Sequence, residues 1–198
     1  MPTGPVATMA RGLRMRYASI IIGTVLVLLL AAGLGSASAQ TGPLAQRGAA
    51  LELKTYLGAT GLRVRQYGAV STRMERALAA EGLDNAAYVR LYRTGEAEYK
   101  RLATSFARVK TPRALRSVHL AKLVGSIRLV AQAYGIWARA QEQFGQTRDL
   151  QTLQVGNTKA KQIVGRAGVL QRAWAKTVRA SATRLKVPIP GWLEFFGE

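Results

Sequence analysis

The sequence predicts an all-α protein, and three observations carry that prediction. Between Pro43 and Pro188 the only proline is Pro112. Apolar residues recur through that region in alternating steps of four and three, which is the period of one helix face. Cysteine is absent, so the chain is held by packing alone, which suits long helices better than a small loop-rich fold. Four helices emerge over residues 40–186, and their short connections force neighbours to run antiparallel. The simplest architecture is an antiparallel up-down-up-down four-helix bundle, with helices about 35 to 55 Å long at about 1.5 Å per residue. An elongated pair of helical hairpins is the alternative.

In the first helix, Leu53, Leu57, Thr60, Val64, Tyr67, Ser71, Met74 and Leu78 form the seam. Gly58 and Gly61 lie inside it and are expected to bend or fray it, since each costs about 1 kcal/mol relative to Ala. Gly82 then offers a left-handed stop, and Asp84 or Asn85 an N-cap for the second helix. That helix carries Tyr88, Tyr92, Gly95, Tyr99, Leu102, Phe106 and Val109 on its seam.

Thr111-Pro112 marks the third start, with the hydroxyl as cap and Pro at the first helical position. Its face combines Leu120, Val124, Ile127, Ala131, Tyr134 and Ala138 with a flanking row of Leu123, Val130, Trp137 and Phe144. Gly145 is read as its end, Thr147 as the cap of the fourth helix and Asp149 as a first-turn acid. The fourth seam runs from Leu150 through Leu153, Asn157, Ala160, Val164, Ala167, Gln171, Trp174, Val178 and Ser181 to Leu185. Polar or small residues interrupt the seams at Thr60, Ser71, Gly95, Asn157 and Gln171, where they bring backbones close or set register.

Two terminal segments stand outside the helical region. Residues 1–39 read as a signal peptide: Arg11, Arg14 and Arg16, then an uncharged apolar run over about 18–34, then Ala37-Ser38-Ala39 before Gln40. An uncleaved transmembrane anchor is the alternative, and it too exports the remainder by the positive-inside bias. Cleavage is favoured because Gly33, Gly35 and Ser36 weaken a helix where a peptidase needs an extended site. At the other end, residues 187–198 form a Pro/aromatic tail. If it turns helically, Trp192, Phe195 and Phe196 share a face. It either folds back over the helices or serves as a membrane-interface anchor, the first being the favoured reading.

Charge narrows the partners. Of 29 Lys and Arg, 26 follow residue 39, against 10 acids, a formal charge of +16. The excess is concentrated in residues 101–190, where 17 basic side chains face only Glu142 and Asp149. On the fourth helix Lys161, Arg172, Lys176, Arg179 and Lys186 form a stripe flanked by Arg166 and Arg184. Arg113, Arg116, Lys122, Arg128 and Arg139 add to it from the third. A solvated, solubilising face is one reading of this surface; a polyanion contact is the other. Export points the contact to anionic membrane lipid or acidic cell-wall polymer of a bacterial envelope. Nucleic acid ranks behind both, because the aromatics lie at seam spacing and are not interleaved with the arginines.

Catalytic motifs are missing. One histidine and no cysteine cannot supply a His-rich or Cys-rich zinc site, the acids are scattered, and no phosphate loop or nucleophile elbow occurs. His119 lies at the edge of the core stripe, and its spacing to Ser117 and Ser126 preassembles no nucleophile and base. It reads as a structural, hydrogen-bonded histidine. The expectation is an exported, non-enzymatic helical protein that uses no cofactor. The alternative is a protein-interaction or small apolar ligand-carrying module whose charge is incidental.

Overall fold

Among residues 42–197, which the computed structural model describes, all regular structure is helical and there is no strand. The N-terminal apolar segment and the cleavage residues Ala37, Ala39 and Gln40 lie outside the described residues. No described helix is long and apolar enough to cross a membrane.

Helix α1 (Pro43–Leu78) opens with Pro43 in its first turn, where a missing N–H is harmless. It continues unbroken through Gly58 and Gly61, without the fraying expected there. The expected seam is buried from Leu53 to Met74, with Ser71 and Leu78 partly covered, and Tyr56, Gly61 and Val70 join it. Helix α2 (Asn85–Ala107) is capped by Asp84, whose carboxylate accepts the Ala87 N–H at 2.6 Å. Gly82 takes the left-handed conformation in the preceding turn, φ 75°.

The third helix departs from expectation at its start. Thr111 does not cap it; its hydroxyl donates to the Val109 carbonyl. Pro112 is the cap residue of a 3-10 turn (Arg113–Leu115), followed by one α turn (Arg116–Val118), a π turn (His119–Val124) and the long α segment Gly125–Thr147. The last three segments together are α3. The wide π turn moves the inward face by one residue. Leu120, expected in the core, is 40% exposed, while His119, Leu123 and Val124 all turn inward. Ser126 donates to the Leu123 carbonyl at 2.7 Å within this irregular stretch.

Helix α4 (Leu150–Arg184) is capped by Asp149 rather than Thr147. The carboxylate accepts the Gln151 N–H at 2.9 Å and the Thr152 hydroxyl at 2.8 Å, which hold the Asp149 carboxyl below its usual range. Gly145 is not the end of α3; the helix runs two residues further, and Arg148 takes the left-handed position at φ 58°. Gly145 instead makes room for the Asn85 amide, which donates to the Gln141 carbonyl.

Side-chain contacts join each helix to the next in the chain. Arg63 and Ser71 of α1 meet Ser105 and Tyr99 of α2. Asn85 and Phe106 of α2 meet Gln141 and His119 of α3. Ala140 of α3 sits against Gly156 of α4, and Ala133 and Ala160 extend that small-residue contact. Side chains return from α4 to α1, with Trp174 bonded to Tyr56 and Gln171 to Tyr67.

Three of the five polar or small breaks in the seams have assigned work. Ser71 bonds Tyr99 at 2.8 Å, Gln171 reaches the Tyr67 hydroxyl, and Gly95 accepts the Tyr134 ring against bare backbone. Any side chain at position 95 meets that ring. Gly95→Val is expected to lower stability by about 2–3 kcal/mol, read as a reduced urea midpoint at unchanged slope.

After α4 the chain folds back. Gly191–Phe196 forms a 3-10 helix in which Leu193 and Phe196 are buried. Trp192 stacks on Trp174 with centroids 6.3 Å apart, and Phe196 meets the same indole edge-on at 5.2 Å. The expected shared face of Trp192, Phe195 and Phe196 does not form. Leu193 and Phe196, three residues apart on a turn of three, face inward together, whereas Phe195 is 61% exposed beside Tyr67.

Candidate functional site

Two features stand out: a buried hydrogen-bonded chain through all four long helices, and a cationic surface outside it. The chain begins at Trp174 of α4, whose indole N–H donates to the Tyr56 phenol oxygen of α1 at 3.0 Å. Tyr56 lies 2.9 Å from His119 Nδ1, and His119 Nε2 lies 2.9 Å from the Phe106 carbonyl of α2. A carbonyl only accepts, so Nε2 carries the proton and Nδ1 accepts from the Tyr56 hydroxyl. All four residues are essentially inaccessible to solvent.

Burial sets the chemistry of this chain. It holds the His119 pKa below the usual imidazole value, against the Phe106 hydrogen bond that favours the charged form, and the nearby Arg63 charge adds to the depression. Burial pushes the Tyr56 phenol up to about 12, opposed by the Trp174 N–H. Thr60, one turn along, faces the same phenol without reaching hydrogen-bond geometry. At neutral pH the chain therefore consists of uncharged groups, each bonded to its neighbour. Ser117 is exposed, Ser126 donates to backbone, and both His119 nitrogens are occupied elsewhere.

Next to it runs an aromatic series, Tyr67, Tyr99, Tyr134 and Trp137, with successive centroids 5.2–5.5 Å apart. Tyr92 stacks on Trp137, and Tyr88 on Tyr92. These contacts join α1, α2 and α3 as packing, in keeping with the place of Tyr88, Tyr92 and Tyr99 on the α2 seam. Burial raises the Tyr134 hydroxyl to about 12.

The cationic residues of α4 divide into two kinds. Lys161, Arg166, Arg172, Lys176 and Arg184 are exposed. Arg179 is half-buried, and its guanidinium donates to the carbonyls of Gly197 at 2.9 Å and Leu193 at 3.1 Å. It fastens the tail to α4. The ion pairs among the described residues are elsewhere: Arg93 with Glu142 and Glu96, Lys100 with Glu96, and Arg73 and Arg101 with Glu98. Arg166, Arg172, Lys176 and Arg184 make none among the described residues.

No protein-family model, curated protein or solved structure matches the chain.

Sequence spacing found His119 as a bonded histidine and Trp174 as a seam residue, but missed Tyr56, the link between them. A signal was present: Tyr56 stands three residues after Leu53 and four before Thr60, on the same helix face.

Proposed function

We propose that this is an exported, non-enzymatic protein of the bacterial cell envelope, with its four helices arranged as an up-down-up-down bundle. Its cationic α4, reinforced by α3, contacts an anionic surface of lipid headgroups or acidic wall polymer. One observation carries the reading. Arg166, Arg172, Lys176 and Arg184 are exposed and without an ion-pair partner among the described residues, whereas Glu96, Glu98 and Glu142 are engaged by cations of α1 and α2. Phe195 adds an exposed aromatic ring on the tail that Arg179 fastens to α4, a residue type suited to a headgroup boundary. Arg179 is left out of the contact set, since its donors hold the tail.

The test is co-sedimentation of the purified chain with vesicles of phosphatidylglycerol and phosphatidylcholine. Each cation near such a surface contributes about 1 kcal/mol. Combining Arg166→Glu, Arg172→Glu and Lys176→Glu is therefore expected to weaken binding about 100-fold or more, with parent binding falling steeply as salt rises. Binding that survives the triple reversal, or that is indifferent to salt, overturns the proposal.

A further inference from the structure

A second cationic feature lies away from α4, in a cleft of about 520 Å³ between α1 and α2. Its wall is built by helical spacing: Lys100, Thr104 and Arg108 form one row on α2, Arg101 and Ser105 the row beside it, and Arg63 faces both from α1. No acidic side chain lines the cleft. We propose that it is a binding site for a phosphate ester, with Arg63, Ser105 and Arg108 as the principal ligand contacts.

Arg63 is the reason to read this as a built site and not as a chance cluster. Its Nε donates to the Ser105 carbonyl at 2.9 Å and to the Ser105 hydroxyl oxygen at 3.1 Å, and its Nη1 donates to the Ala59 carbonyl at 2.9 Å. A long flexible side chain is thereby fixed at the cleft wall, with Nη2 left unengaged by these bonds. Most of the rotamer entropy that an anion contact would otherwise lose has already been lost on folding.

The Ser105 hydroxyl, having accepted from Arg63, still has its own proton to donate. Arg108, just past the end of α2, is exposed and has no ion-pair partner among the described residues. Glu96 pairs with Lys100 at 2.7 Å and Glu98 with Arg101 at 3.7 Å, so these two cations are partly neutralised and form the rim.

A planar fork, a hydroxyl donor and a second guanidinium suit the several oxygens of a phosphate group. The volume falls in the range of about 300–1,000 Å³ typical of small-molecule sites. The cleft is open to solvent and leaves room for an organic part beside the phosphate. A soluble phosphate ester and a phospholipid headgroup share this chemistry.

Two probes separate these sources: glycerol 3-phosphate in calorimetric titration of the purified full chain, and phosphatidylglycerol vesicles in co-sedimentation. Loss of one charge-assisted hydrogen bond is worth about tenfold or more in affinity. Arg108→Gln and Arg63→Lys are each expected to weaken glycerol 3-phosphate binding about tenfold, while Arg166→Gln on α4 leaves it unchanged. Arg108 is exposed, so its variant keeps the core intact; thermal denaturation verifies folding of the Arg63 variant. If glycerol 3-phosphate does not bind but both cleft variants weaken vesicle binding, the ligand is a headgroup. The proposal is overturned if neither probe distinguishes the cleft variants from the parent, or if Arg166→Gln weakens glycerol 3-phosphate equally. Failure of the α4 contact is a separate result, read from the triple reversal with vesicles alone.

Discussion

Replacing His119 with Ala is expected to reduce the free energy of unfolding by about 3–5 kcal/mol, measured by urea denaturation near neutral pH. The imidazole connects three helices, accepting from Tyr56 and donating to the Phe106 carbonyl, and Tyr56 carries the link to Trp174 on the fourth. Its removal leaves the buried Tyr56 hydroxyl without an acceptor and opens a void against close-packed side chains. The Phe106 carbonyl keeps its bond from the Val109 N–H and adds less to the loss.

The same residue gives the protein a pH signature. His119 has a lowered pKa when folded and titrates near 6.5 when unfolded. Below about pH 6.5 the unfolded chain takes up a proton that the folded chain refuses. Stability from this group is complete above that pH. It declines as pH falls, with a limiting slope of about 1.4 kcal/mol per unit, until the folded imidazole is itself protonated. Between about pH 5 and 6.5 ordinary carboxylates are still ionised, so the window isolates His119. His119→Gln, which can accept from Tyr56 and donate to Phe106 without titrating, is expected to lose the slope. A slope that persists in this variant assigns it to other groups.

Trp174→Ala is the second large effect, again about 3–5 kcal/mol. The indole is fully buried, donates to Tyr56, stacks on Trp192 and meets Phe196 edge-on. One substitution removes a core side chain and the platform for the tail. Limited proteolysis distinguishes the two consequences: cleavage after Trp192 or Phe195 is expected to accelerate more than cleavage within α1–α4. Arg179→Gln, which removes guanidinium donors to the tail and spares the core, is expected to accelerate the same cleavages with a smaller loss of stability. Equal acceleration throughout α1–α4 in the Trp174 variant would mean that the tail does not depend on this platform.

Much of the helical framework was legible in the sequence because a seam announces itself by repetition. Leu53 to Met74 on α1 and Tyr99 to Val109 on α2 are buried as their spacing predicts. The π turn was not legible, since an extra residue in one turn breaks the period with no proline or glycine inside it to mark the change. Leu120 was accordingly placed inside and lies outside. Caps were legible in kind but not always in position: Thr147 and Asp149 are both competent, and the left-handed turn at Arg148 decides for Asp149.

The candidate sites divide in the same way. Cations on α4 are visible by counting, but the bonds that commit Arg179 to backbone carbonyls are tertiary. The cleft at Arg63 depends on which rows of α1 and α2 face each other, a matter of helix rotation that neither helix encodes alone. The tail winds as a 3-10 helix that buries Leu193 and Phe196 and leaves Phe195 exposed, a choice its short sequence leaves open.

The clasp between Arg179 and the tail also bears on what trimming the chain would do. Removing residues 191–197 would uncover the Trp174 ring and the bare backbone at Gly61, against which the Trp192 indole rests. It would also return a guanidinium to solvent. A cut at one place would make the molecule at once greasier and more positive. The last turn therefore acts as a guard on stickiness, covering an apolar cradle and occupying a charge with a single short segment.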